Sequence, residues 1–163
     1  MANLVVTITE AVTLNGSARG SSNALTITGV DDIYHRIITC PAADGGISGT
    51  TLVKFSAAVN TVDGAATLDL DNVKYIRVTN LDSSNSLTLS LQVSNDEDGA
   101  ADFSSSILIE AGKSFLMGTP HDGIQVSDAN ANVITTLVDL ESIIADPAGN
   151  DVQVEVFIAS VVA

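Results

Sequence analysis

Oxygen ligands are densest in Asn95-Asp96-Glu97-Asp98-Gly99, with Asp102 close behind. Carboxylate and amide oxygens are the hard donors that Ca²⁺ takes. Asp96, Asp98 and Asp102 are the residues that would supply them. The order of an EF-hand loop fails, however. With Gly99 as the sixth position, Ser94 is the first and Ser105 the twelfth, where a bidentate Glu belongs. A solvated acidic loop is the plainer reading, and we prefer it. Asp31-Asp32 and the pair Asp69 and Asp71 are smaller clusters of the same kind.

Other reactive residue types lack the spacing that catalysis needs. Gly112-Lys113-Ser114 ends like a phosphate-binding loop, but that motif needs a glycine at position 107, where Ile107 stands. A helix should follow it, whereas the pattern here predicts a strand, so a hairpin turn is the better reading. His35 and His121 are the only histidines, and no Gly-x-Ser-x-Gly string is present. Cys40, near a strand end, reads as a small buried apolar residue rather than a nucleophile. We therefore expect no enzyme and no cofactor, with Ca²⁺ as the one metal to keep in view.

Composition narrows the partners. The chain has 163 residues, a formal net charge of −14 and 45% hydrophobic residues. It is long enough for one domain, 1–163, with a core that needs no disulfide. Arg19, Arg36, Lys54, Lys74, Arg77 and Lys113 are dispersed among twenty acidic residues. Nucleic acid and anionic membranes are therefore not expected as partners. With no Trp and only Tyr34 and Tyr75, a sugar-binding platform is poorly supported. A single cysteine fits a reducing compartment. The first residues carry no basic flank ahead of their apolar positions, so they are not read as a secretory signal. Asn15-Gly16-Ser17 then reads as a turn rather than a glycosylation site.

The elements that would position these residues are strands. Leu4, Val6, Ile8, Val12 and Leu14 alternate along a first strand, and 1–15 can be an extended N-terminal strand or arm. Pairing of that strand within its own domain is the reading we favour. Asn15 to Asn23 reads as a Gly- and Ser-rich loop. Short strands are predicted over Ala24–Gly29, Ile33–Cys40, Ala66–Leu70 and Lys74–Asn80. The clearest is Ser86–Val93, where Leu87, Leu89, Leu91 and Val93 alternate with polar residues. Ser106–Glu110 and Ser114–Met117 read as a hairpin closed by Ala111-Gly112-Lys113. Val133–Asp146 carries both helical and strand spacing, and its β-branched residues favour strand. Asp151–Val162 is apolar on both faces, which marks a central or interface strand. About ten strands at spacings near ten residues predict an all-β fold. The expected form is a single antiparallel β-sandwich, jelly-roll-like.

One stretch carries a resemblance. Lys74-Tyr75-Ile76-Arg77-Val78-Thr79-Asn80-Leu81-Asp82-Ser83-Ser84-Asn85 resembles small β-sandwich structural proteins of marine tailed bacteriophages. Ile109–Leu116 and Val152–Ser160 are similar to strings in the same proteins, so the likeness covers roughly the second half of the chain. It implies a virion component with an assembly role, made in the host cytoplasm and not secreted, and it transfers no active-site residues. Asp82 within the string reads as a turn former.

The leading expectation is a capsid decoration or cement protein that binds the outer shell and bridges subunits. Its partners would be the major capsid protein or other virion proteins. A homo-oligomer is expected, and a trimer would suit the role. A neck or tail component (adaptor, nozzle or fibre-attachment subunit) is the alternative, followed by a host-surface binding module.

Overall fold

The computed structural model describes residues 1–42, 49–55, 67–93, 103–118, 125–126, 138–147 and 149–161. Its strands, in chain order, are β1 (Ala2–Thr9), β2 (Thr13–Leu14), β3 (Ser17–Ala18), β4 (Ser22–Val30) and β5 (Asp32–Cys40). There follow β6 (Thr50–Phe55), β7 (Thr67–Leu68), β8 (Val73–Asn80), β9 (Leu87–Val93) and β10 (Phe103–Ile109). The series ends with β11 (Ser114–Gly118), β12 (Gln125–Val126), β13 (Val138–Pro147) and β14 (Val152–Ser160). Ten of these have five residues or more, and a short 3₁₀ turn, Leu70–Asn72, leads into β8.

Eight strands make two antiparallel four-stranded sheets, in the orders β11-β8-β14-β5 and β10-β9-β13-β6. β7 extends the second sheet parallel to β6, and β12 pairs with β13. Most successive strands of these two sheets cross from one to the other, whereas β9 and β10 pair with each other within one sheet. This connectivity is that of a jelly roll, so the all-β sandwich expected from the spacing is the fold.

Alternation explains why the sheets face each other. Leu87, Leu89, Leu91 and Val93 of β9 are all buried, and the polar residues between them are only half-buried. Val152, Val154, Val156 and Ile158 of β14, in the opposite sheet, share a single apolar cluster with Leu87, Leu89 and Leu91. β14 lies between β8 and β5, which is the central position its two apolar faces predicted. The ambiguous segment is strand from Val138 onward, and its earlier residues lie outside the described ones.

Two sequence expectations need correction. β10 and β11 are not a hairpin, because β10 pairs with β9 and β11 with β8. The turn itself is real: Lys113 donates its backbone N–H to the Glu110 carbonyl (3.1 Å), and Gly112 adopts φ 70°. It is a corner between sheets, and turn residues signal a reversal without saying which sheet the chain enters.

The second correction concerns Asn15–Asn23, which is not a loop. Asn15 (φ 51°) and Gly16 (φ 77°) form a left-handed pair at the tip of a long ribbon built from β1 to β4. Two positive φ values in an Asn-Gly pair mark the turn that matches strand twist. The first strand is also interrupted, since β1 ends at Thr9 and pairing resumes at Thr13. Gly20 faces this break, and a Cβ there would collide with the Glu10 carbonyl.

Candidate functional site

The base of the ribbon lies on the outer face of the β11-β8-β14-β5 sheet. Ile27, Val30, Tyr75 and Ala159 form a second buried cluster, with Leu4, Val6, Leu25 and Phe157 packed against it. Register explains which ribbon residues do this. Leu4 pairs with Ile27 and Val6 with Leu25, so these four share one face. Ile8 and Asn23 continue that face outward, past the covered part of the sheet.

Between the ribbon and β11 is an open groove of about 310 Å³. Val6, Ile8 and Leu25 form one wall, and Tyr75, Leu116 and Gly118 contribute to the other. Gly118 brings the Tyr75 ring close, since a Cβ there would lie 3.2 Å from its Cδ2. Burial pushes the Tyr75 phenol above its ordinary range, and the nearby Arg77 charge opposes that rise. Among the described residues, the groove lining contains no charged side chain.

Beyond the ribbon, the same sheet face holds a polar cluster. Glu155 of β14 meets His35 Nε2 through Oε1 (2.8 Å) and Arg77 through Oε2 (2.9 Å). His35 and Arg77 sit directly across from Phe157 on the flanking strands and reach diagonally to Glu155. His35 meets the Phe157 ring edge-on, and the Arg77 guanidinium lies 5.7 Å from that ring's centroid. This arrangement binds three strands together across a partly wet surface. His35 is thereby a structural partner of Glu155, held between that carboxylate and the Phe157 ring.

The remaining candidates divide clearly. Asp96, Asp98, Asp102 and His121 lie outside the described residues. Among the described residues no group of three or more His, Cys, Asp or Glu side chains is placed to hold a metal ion. Asp69 and Asp71 belong to the 3₁₀ turn, where the Asp69 carboxylate accepts from the Asp71 N–H and the Asn72 side chain, both at 3.1 Å. Cys40 is fully buried, and burial raises its thiol pKa against a weaker opposing hydrogen bond from Thr50. A buried thiol with a raised pKa is a poor nucleophile.

The Thr79-Asn80-Leu81-Asp82 string builds a corner. Asp82 Oδ1 accepts from the backbone N–H groups of Ser84 (2.7 Å) and Asn85 (2.6 Å). These bonds hold its carboxyl below the usual range, as a turn-forming role requires. Asn80 was not singled out from the sequence, yet it is fully buried. It donates to the carbonyls of Asn85 (2.8 Å) and Ile109 (3.2 Å) and accepts from the Asp82 N–H (2.9 Å). The available signal was its place in the buried phase of β8, after Ile76 and Val78.

No family model, curated protein or solved structure matches the chain.

Proposed function

We propose that this chain is a non-enzymatic structural protein of a virion, decorating the outer capsid shell and holding neighbouring subunits together. The observation that carries the reading is the division of the molecule. A jelly roll with a closed apolar core bears a ribbon whose outer half, residues 7–24, is exposed throughout. A solid body with a projecting arm suits holding neighbours better than turning over a substrate, because arms add contacts across subunit junctions and a lattice multiplies weak ones.

The resemblance of Lys74–Asn85 to phage structural proteins supplies the setting. The acidic composition supports it, since a repeated protein of net charge −14 stays soluble and unattracted to nucleic acid. The role calls for no cofactor, and its partners would be the major capsid protein or other virion proteins. The same acidity favours one second reading, a neck or tail component past which DNA slides without sticking.

Quantitative mass spectrometry of purified virions tests both. A copy number comparable to the major shell protein supports decoration. A far smaller number places the chain at the neck, tail or fibres, and absence from virions removes the assignment.

A further inference from the structure

The ribbon presents apolar residues to solvent on a segment nearly free of charge. Within residues 1–30 the only charged side chains are Glu10 and Arg19, one of each sign. The other 133 residues therefore carry the whole net charge of −14. Ile8, Val12 and Leu14 remain 54%, 53% and 60% exposed, and Val5 on the opposite ribbon face is exposed as well. A two-stranded ribbon is marginally stable by itself in water. Here only its base is anchored, through Leu4, Val6, Leu25, Ile27 and Val30.

The groove beside the ribbon has matching properties. Its described lining is uncharged and includes the half-exposed Leu116 of β11. β11 is also the last strand of its sheet, so one side of its backbone has no neighbouring strand among the described residues. Among the described residues, β1 and β4 likewise have only each other as strand partners. An extended segment with free strand edges and a groove with a free strand edge are complementary by the chemistry of strand addition.

We infer that the groove between the ribbon and β11 receives the projecting ribbon of a second copy of this chain. The chain itself carries the matching piece, an exposed and nearly neutral ribbon, and charge confines the contact to these two surfaces. Two bodies of net charge −14 repel across most of their surfaces, so they can meet closely only where both are uncharged. The groove's described lining is such a surface, and the ribbon comes near to one, since its only charges, Glu10 and Arg19, are of opposite sign. A basic partner would instead be drawn to the acidic faces. Size agrees on the ribbon's side, because its eighteen consecutive exposed residues 7–24 approach the roughly 20 residues that one partner gives a standard interface. Since the ribbon's outer end, with Val12 and Leu14, is a different surface from the groove, the contact is head-to-tail and closes into a ring when the rotation permits. The inference stands independently of the virion assignment.

Sedimentation of the full chain over a range of concentrations tests it. A ribbon variant (Val12→Asp with Leu14→Asp) and a groove variant (Leu116→Asp) remove one half of the contact each, at positions already exposed in one copy. Ile37→Asp, on the exposed far strand of the same sheet, is the control. Wild type and control should self-associate, while each variant weakens association by about tenfold or more. Thermal midpoints in dilute solution should be the same for all four proteins. Mixing the ribbon variant with the groove variant should restore a dimer and nothing larger, because one intact ribbon then meets one intact groove. A wild type that stays monomeric at millimolar concentration overturns the inference. So does association that survives both variants, or a mixture that forms no dimer.

Discussion

The jelly roll and the ribbon are both antiparallel β-structure, but different forces hold them. In the sandwich, alternation places Leu87, Leu89 and Leu91 of β9 in one buried cluster with Val154, Val156 and Ile158 of β14. No described buried side-chain nitrogen or oxygen there lacks a hydrogen-bond partner. In the outer ribbon, β1 and β4 satisfy each other's backbone, yet no residue from Thr7 to Ala24 is even half-buried. Hydrogen bonds alone contribute little net stability in water, whereas apolar burial drives folding. The sandwich is therefore self-sufficient, and the ribbon is completed by what it touches.

Core truncation should show the largest effect. Ile158→Ala removes a fully buried side chain between the sheets and should cost about 3–4 kcal/mol. Ile8→Ala on the ribbon should stay within about 0.5 kcal/mol for the monomer. Denaturant titration of dilute protein checks both, and equal losses would erase the distinction drawn between the two regions. Asn80→Leu should come next, at about 2–3 kcal/mol, because it leaves the Asn85 and Ile109 carbonyls and the Asp82 N–H without their partner. The same titration reads this cost.

Gly20→Val should act only within the ribbon. The added side chain meets the Glu10 carbonyl, so the ribbon should open between Glu10 and Gly20 and become sensitive to limited proteolysis there. The thermal midpoint of the sandwich should stay in place. Asp82→Asn should have the smallest effect, confined to the acid limb. The Asp82 carboxyl is lowered on folding from an ordinary value of 3.8. Its contribution is therefore present above that pH and lost as pH falls through the depressed folded value. In the variant, stability should fall less steeply below pH 3.8 than in wild type, as thermal midpoints measured against pH will show.

The two regions also differed in how far the sequence revealed them. The β9 alternation and the doubly apolar β14 were readable because burial leaves a hydrophobic pattern. Ser17–Asn23 carries no such pattern, since both faces of the ribbon are exposed there. Only the Asn15-Gly16 pair marked the reversal. The switch of sheets after Glu110 was hidden because a turn signal is local and the choice of sheet is not. His35 and Glu155 stand 120 positions apart, and only the β14–β5 register brings them together. The groove likewise depends on how the ribbon base lies over Tyr75 and Phe157, which no spacing records.

Hydrogen exchange measured at two protein concentrations addresses the central claim most directly, because it reads both regions in one sample. Amides of β8, β9, β13 and β14 should exchange slowly at both concentrations. Amides from Thr7 to Ala24 should exchange quickly in dilute protein and become protected in concentrated protein, as the ribbon of one copy finds the groove of the next. Ribbon amides as slow as those of the sandwich in dilute protein would contradict the account. So would ribbon exchange that does not change with concentration.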